Sequence, residues 1–153
     1  MSLDLKKQIV SQLVETSRLL RNYIDHRAKT RGTTGAQWIV LFRLLEQEGL
    51  SQVDLADVLE LQPISLVRLL DRLVEHGLVE RRADPRDRRA NRLFLTASGR
   101  QLANDLDGLH NAIATDVLQE VPTAALETSL KTLQDVKDRI KTLGDPASRV
   151  AAE

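Results

Sequence analysis

The sequence is short of several residue types, and each shortage excludes a class of protein. It contains no cysteine, which excludes disulfides, thiolate zinc sites and cysteine-based redox sensing and fits a cytoplasmic protein. Aromatic residues make up only 3%, which suits helices packed with leucine, valine and isoleucine better than a β-sandwich. No apolar run approaches the roughly 20 residues of a membrane span. The N-terminal MSLDLKKQIV has early charges and no cleavage site, unlike a signal peptide.

Sequence signals for catalysis and metal binding are missing as well. There is no glycine-rich phosphate loop and no G-x-S-x-G motif, and the acidic residues are scattered over predicted helix surfaces. His26, His76 and His110 fall on three different predicted helices, without a partner at metal-ligand spacing. We therefore expect no catalytic residue, no metal and no cofactor, and we expect that the protein is not an enzyme.

Charge is balanced overall but concentrated in one segment. The 22 basic and 22 acidic residues give a net charge of zero, which argues against a protein that coats DNA without selectivity. Between residues 81 and 92, however, six arginines stand against two aspartates, which makes a focused basic patch. These arginines are Arg81, Arg82, Arg86, Arg88, Arg89 and Arg92.

Apolar residues that recur every three to four positions predict six helices. Capping residues mark several of the starts: Thr33 or Thr34 for the second helix, Ser51 for the third, Thr96 for the fifth and Thr123 for the sixth. The fourth opens at a Gln-Pro pair, because proline is favoured at a first helical position. The predicted helices cover about residues 3–28, 35–48, 52–59, 62–76, 97–120 and 124–143.

Two short strands follow the fourth helix. They are predicted at Leu78–Val79 and Arg92–Leu95, joined by an arginine-rich loop over residues 83–91 that begins with the turn-forming pair Asp84-Pro85. Leu50 can pair with them as a very short strand. A helix sized for a DNA groove, followed by a basic hairpin, indicates a winged helix-turn-helix. The expected fold class is mainly α with a small β-wing.

The terminal helices carry more apolar surface than one such lobe can cover. One solution is a homodimer in which the terminal helices of two chains interlock, and the other is a monomer with its own three-helix bundle. The predicted divisions are an N-terminal dimerisation helix at 1–32, the winged helix-turn-helix lobe at 33–98, C-terminal dimerisation helices at 99–143 and a flexible tail at 144–153.

Four segments carry a resemblance to a known family: AQWIVL at 36–41, LSQVDLADVL at 50–59, SLVRLLDRLVEHGLVER at 65–81 and DPRDRRANRLFLTASG at 84–99. They resemble the MarR family of bacterial transcription regulators, and IDHR at 24–27 with QPISLVRLLD at 62–71 looks like its SlyA branch. The resemblance covers nearly the whole chain to about residue 143. It implies a homodimeric winged-helix repressor or activator that small phenolic or aromatic anions often release from DNA.

The fourth helix carries residues that are placed to contact DNA. Ser65 and Arg68 on its outward face can reach base edges in the major groove. Gln62 and Pro63 lie at the helix start, where the free amides and the helix dipole favour a phosphate. Arg72 is further along and suits a phosphate contact. The alternative is a solvated helix face whose arginines pair with neighbouring acidic residues.

In the wing, the family pattern of an aspartate two residues before an arginine falls on Asp87 and Arg89. The resemblance implies that this carboxylate holds the guanidinium and aims it into a minor groove, with Arg86 and Arg88 as phosphate or groove neighbours. The alternative is a charge-rich, disordered hairpin tip that binds nothing. For the strand arginines at 81, 82 and 92, phosphate binding and surface solubilisation are equally good explanations.

Ligands of the family lie in a crevice between the dimerisation helices and the winged lobe. There Arg18 could pair with an anionic carboxylate and Trp38 could stack on an aromatic ring, although a surface or dimer salt bridge and a core tryptophan are the plainer interpretations. The expected function is a homodimeric, sequence-specific transcription regulator, cytoplasmic and nucleoid-associated, on an inverted-repeat operator in double-stranded DNA. The alternative is a winged-helix protein-interaction or ligand-binding module without DNA binding, which should have lost its wing arginines.

Overall fold

Six helices and one antiparallel hairpin account for residues 2–144, the part of the chain that the computed structural model describes. The elements are α1 (Ser2–Lys29), α2 (Gly35–Glu46), α3 (Gln52–Leu59), α4 (Pro63–Glu75), β1 (Val79–Asp84), β2 (Asp87–Leu95), α5 (Ala97–Leu118) and α6 (Thr123–Leu143). The predicted fold class is confirmed. Of the tail predicted at 144–153, the structure describes only Gly144, the C-cap residue of α6; the rest lies outside the described residues.

Side-chain caps set the starts of α2 and α3, as predicted. The hydroxyl of Thr34 accepts a hydrogen bond from the N–H three residues on at 3.1 Å, and the hydroxyl of Ser51 does the same at 3.0 Å. Each bond satisfies one of the first N–H groups of the helix, which have no partner inside it. The cap predicted at Thr123 is wrong. Pro122 is the N-cap residue, so Thr123 already belongs to the helix.

The core of the lobe is built from leucines that no water reaches. Ile39 on α2 and Val58 on α3 do not join it, since they are 55% and 44% exposed. Fully burying one leucine contributes about 1.5–3 kcal/mol, so several together hold the short helices in place. Between residues 33 and 98 the leucines with no exposed surface are Leu41, Leu44, Leu55, Leu66, Leu70, Leu73 and Leu93.

The wing hairpin is longer than the sequence predicted. Its strands reach Asp84 and Asp87, so only Pro85 and Arg86 remain in the turn, and the rest of the expected loop belongs to the two strands. The short pairing predicted at Leu50 falls one residue later: the isolated bridge joins Ser51 to Arg92, and beside it the Leu50 carbonyl accepts the N–H of Leu93 at 3.0 Å. The chain entering α3 therefore lies along the outer edge of the hairpin.

A tight junction joins the wing to α5. The N–H of Thr96 donates to the carbonyl of Leu78 at 3.1 Å, and its hydroxyl donates to the carbonyl of Gly77 at 2.6 Å. The same hydroxyl accepts the N–H of Gly99 at 3.0 Å, which confirms Thr96 as the cap of α5. A Cβ atom added at Gly99 would lie 1.9 Å from the carbonyl oxygen of Leu78. Only glycine therefore allows α5 to begin so close to the hairpin.

The chain divides into two compact units, of which the first ends at Ile113 and the second begins at Ala114. The boundary falls inside α5, so the first unit holds the lobe, α1 and most of α5, and the second holds the end of α5 and α6. Among the helices of residues 2–144, none combines the length and apolarity needed to cross a membrane.

Replacing Gly99 by alanine should destabilise the fold, because the added methyl group must displace the backbone of Leu78. Overpacking of this kind costs about 1–3 kcal/mol. The matched control is Gly108→Ala in the same helix, where a Cβ meets no atom within 4 Å. That change should raise the free energy of unfolding by about 0.5–1 kcal/mol, since alanine favours helix more than glycine does. Urea denaturation measures the change in the free energy of unfolding, which should be negative for Gly99→Ala and positive for Gly108→Ala. Equal changes would contradict the crowding at Gly99.

Candidate nucleic-acid interface

The outward face of α4 presents the residues predicted to contact DNA. Its opposite face is fixed by three fully buried leucines, so the helix has one rotational setting. Pro63 is the first helical residue, and Gln62 before it makes no side-chain capping bond. Ser65, Arg68 and Arg72 are exposed along the same helix. All five predicted residues are therefore exposed, Ser65, Arg68 and Arg72 along the side opposite the leucines and Gln62 and Pro63 at the start of the helix.

Arg68 and Arg72 do not pair with the acidic residues beside them on α4. Asp71 instead binds Arg81 on β1, with 2.6 Å between the carboxylate oxygen and the guanidinium nitrogen. Within residues 2–144, Arg68 and Arg72 form no salt bridge. The ion pair has two consequences: it ties the helix to the wing, and it leaves the two helix arginines available to a partner.

Three of the six arginines in the basic patch are held by acidic residues of the same lobe. Arg81 pairs with Asp71 as described. Arg82 pairs with Glu80, and its guanidinium carbon lies 4.0 Å from the centre of the Phe94 ring. Arg92 donates through Nε to Asp84 at 3.1 Å. The sequence left phosphate binding and solubilisation open for these three arginines, and the contacts give them a structural task within the hairpin.

The hairpin turn is built around Asp84. One carboxylate oxygen accepts the N–H of Arg86 at 2.9 Å and the other accepts the Arg92 guanidinium. The backbone N–H of Arg86, more than the Arg92 side chain, lowers the pKa of Asp84 below its ordinary value. A charged carboxylate that accepts two hydrogen bonds fixes a turn that has proline at its first position.

The remaining wing arginines lie where the ladder is irregular. Ala83 pairs with Asn91 and Asp84 pairs with Asp87, so three residues of β2, Arg88, Arg89 and Ala90, have no Cα partner on β1. Irregularities of this kind leave residues out of the ladder and change where their side chains point. The side chains of Arg86, Arg88 and Arg89 are exposed, and none of them has a salt bridge to a described residue.

The expected ion pair between Asp87 and Arg89 is not what the structure contains. The Asp87 carboxylate accepts the backbone N–H of Arg89 at 2.9 Å, and the Arg89 guanidinium is left open. The family spacing of two residues suits this bond because an aspartate readily accepts the N–H two positions on in a turn. Asp87 therefore shapes the backbone that carries Arg89 and does not hold the side chain itself.

The two residues predicted to bind a ligand differ in burial, since Trp38 is buried and Arg18 is exposed. Trp38 is buried in α2, packs against Phe42 and His110, and leaves its Nε1 without a hydrogen-bond partner. Arg18 lies on α1 in an open groove of about 400 Å³ that Trp38 does not line. In residues 2–144 no three histidine or acidic side chains stand close enough to hold a metal ion.

Sequence reasoning missed two residues of this surface. Asp71 is one of the acidic residues beside Arg68 and Arg72, and its partner ten residues away on β1 follows only from the fold. Ile64 lies in the first turn of α4 and is 67% exposed. Its spacing of four residues before Arg68 was visible in the sequence and would have placed it on the outward face.

Comparison with known proteins finds transcription regulators that resemble this chain in sequence or in fold. Residues 31–90 match the sequence model of the MarR family. A MarR-family regulator from Rhodococcus sp. RHA1 has a similar structure, with a TM-score of 0.77 and 28% identity over 86% of this chain and 94% of that one. The S. aureus MepR–DNA complex gives a TM-score of 0.79 at 21% identity, over 86% of this chain and 97% of that one. The regulator SlyA gives 0.79 at 19% identity, over 86% and 92%.

Residues 31–90 are thus similar to the MarR family, and a regulator of that family shares the fold over most of the chain. Regulators of this family bind DNA and are not enzymes, in agreement with the expectation from the sequence. The likeness to SlyA and to MepR is one of fold alone. The SlyA branch stays a prediction.

The carboxyl group of Asp84 should titrate below its ordinary pKa of 3.8. Because the pKa is lower in the folded state, the charged group stabilises the wing above about pH 4, and this stabilisation is lost as the pH falls through the folded value. Arg92→Gln should raise the pKa only part of the way, since the N–H of Arg86 remains. NMR titration of the carboxyl group measures the pKa of Asp84 in the wild type and in Arg92→Gln, and Arg88→Gln is the control in which the pKa should not change. A wild-type pKa at or above 3.8 would refute the assignment.

Proposed function

We propose that this chain is a homodimeric, sequence-specific transcription regulator that binds an inverted-repeat operator in double-stranded DNA. One observation carries the proposal: five arginines of the lobe are exposed and unpaired within the described chain, on two elements that an ion pair joins. The other three arginines of the patch are neutralised locally. The five are Arg68 and Arg72 on α4, and Arg86, Arg88 and Arg89 on the wing.

In the proposed complex α4 enters the major groove. Ser65 and Arg68 contact base edges, because the major groove presents a distinct pattern of donors and acceptors for each base pair. Gln62 and Pro63 approach a phosphate at the start of the helix, where the dipole favours negative charge. Arg72 lies one turn beyond Arg68 and contacts a phosphate.

The wing reaches the neighbouring minor groove. Arg89 inserts, since a narrow minor groove concentrates negative potential and attracts a guanidinium. Asp87 supports it by fixing the backbone N–H of Arg89. Arg86 and Arg88 then face the phosphates on either side. A dimer would read two half-sites about one helical turn apart, and counterion release would make its affinity fall with salt.

The dimer is proposed from the surface of the terminal helices. In α1, which is 28 residues long, only Ala28 is buried, and no residue of α6 is buried. Helices of this kind owe their stability to packing of an apolar face, which a monomer would leave in water. A second copy of the chain covers both faces. Exposed apolar residues include Leu5, Ile9 and Val10 on α1, and Leu130, Leu133 and Ile140 on α6.

Three further parts of the proposal follow from the resemblance to the MarR family. A small aromatic or phenolic anion would modulate DNA binding, with Arg18 and Trp38 as its predicted contacts; the unsatisfied Nε1 of Trp38 is the one feature that favours it. The terminal helices would be dimerisation elements at 1–32 and 99–143. The protein would work in the cytoplasm, on the nucleoid.

Removing a base-reading arginine should weaken operator binding far more than removing an arginine elsewhere. The probe is the duplex that the protein enriches from a random library. Arg68→Gln and Arg89→Gln should each lower its affinity at least about tenfold, as expected for a lost base or groove contact worth about 1–3 kcal/mol. Arg72→Gln should weaken the selected and an unrelated duplex alike, with a shallower salt dependence. Fluorescence anisotropy across a salt series measures all of these.

Arg43→Gln is the matched control, because Arg43 lies on α2 and pairs with Glu46 at 3.4 Å. It should bind like the wild type. If no sequence is enriched, or if all variants bind with the same salt-independent affinity, sequence-specific DNA binding through these arginines is excluded and the interaction-module alternative is favoured.

A charge placed on α6 should separate the dimer. Leu133→Glu puts a carboxylate where the proposed interface is apolar, and sedimentation velocity should then give a single chain of 17.2 kDa instead of twice that mass. Val53→Glu is the control, since Val53 is 71% exposed on α3, outside the terminal helices. A wild-type protein that sediments as one chain at every concentration would contradict the dimer.

A further inference from the structure

Ile64 is an apolar side chain that is not part of the hydrophobic core of the lobe. It lies in the first turn of α4 and is 67% exposed, whereas Leu66, Leu70 and Leu73 of the same helix have no exposed surface. The helix is thus already anchored by its other face. Covering an aliphatic side chain that lies in water is favourable, so a partner that binds this face would gain free energy by covering Ile64.

The neighbours of Ile64 point to the kind of partner. Arg68 follows it by four residues, and side chains at that spacing lie on the same face of a helix. Ser65 and Arg72 extend the same exposed surface, and neither arginine has a salt bridge within the described chain. A partner that accepts two guanidinium groups and also covers one aliphatic side chain must offer anionic and apolar groups together.

Duplex DNA offers that combination in its major groove. The C5-methyl group of thymine is the apolar group that a base pair presents there. Residues four apart on a helix are displaced by about 6 Å along its axis, and successive base pairs by about 3.4 Å. The base pair below Ile64 is therefore within about two steps of the base pair that Arg68 reads.

We propose that Ile64 determines specificity by packing on the C5-methyl group of a thymine at one fixed position in each half-site, within about two base pairs of the base contacted by Arg68. The inference rests on the proposed function, since it requires α4 to lie in the major groove. It adds a preference for thymine that comes from apolar contact and not from a hydrogen bond.

The test removes the methyl group from the DNA and the side chain from the protein in turn. Starting from the duplex that the wild type enriches, each symmetric pair of thymines is replaced by deoxyuridine, which keeps every hydrogen-bonding group. Loss of one buried methyl corresponds to about fourfold in affinity, or roughly fifteenfold for both half-sites. The wild type should show this loss at one pair of positions. Ile64→Ala should bind the thymine duplex more weakly and should be indifferent to deoxyuridine there.

Ile39→Ala is the matched control, because Ile39 is also an exposed isoleucine, 55% exposed, but lies on α2. It should keep the full thymine dependence. If the wild type enriches a sequence but no thymine pair depends on its methyl group, or if Ile64→Ala keeps the full dependence, the role of Ile64 is refuted and the proposed function stands. If the wild type enriches no sequence, both proposals fail.

Discussion

The burial of one leucine stripe on α4 decides what the rest of the lobe can do. Leu66, Leu70 and Leu73 have no exposed surface, and burying each is worth about 1.5–3 kcal/mol, more than any surface contact of this helix can offer. They therefore fix the rotation of α4 about its axis. The outward positions of Arg68 and Ile64 follow from that rotation, because a helix advances by a constant angle per residue.

Once the helix is set, the distribution of charge in the hairpin follows from geometry. Arg81, Arg82 and Arg92 lie on paired strand positions, within reach of acidic side chains on α4 or on β1. Arg88 and Arg89 lie where β2 has no counterpart on β1, so they extend beyond the range of those acids. A hairpin with six arginines is tolerated because half of them are neutralised in place, and the positive potential is concentrated at the tip.

The sequence predicted the features that depend on local chemistry. All six helices and the caps at Thr34, Ser51 and Thr96 follow from periodicity and from hydrogen bonds a few residues long. It could not predict the Asp71–Arg81 pair, whose partners meet only after the hairpin folds back onto α4. It also misjudged Asp87, because the spacing of an aspartate and an arginine does not say whether the carboxylate binds the side chain or the backbone.

The carboxylate of Asp25 is one of the contacts that join α1 to the lobe, beside the packing of Ile24 and Ala28, and so bears on how two α4 helices would be spaced. Asp25 on α1 accepts the N–H of Gly35, the first residue of α2, at 2.7 Å. A Cβ at Gly35 would lie 2.7 Å from the same oxygen, so the carboxylate fills the space before the helix, where the dipole favours a negative charge. Separating α1 from α2 would leave that N–H without its acceptor. If two chains pair through α1, the contact between Asp25 and the start of α2 is one of the places at which the distance between their α4 helices is set.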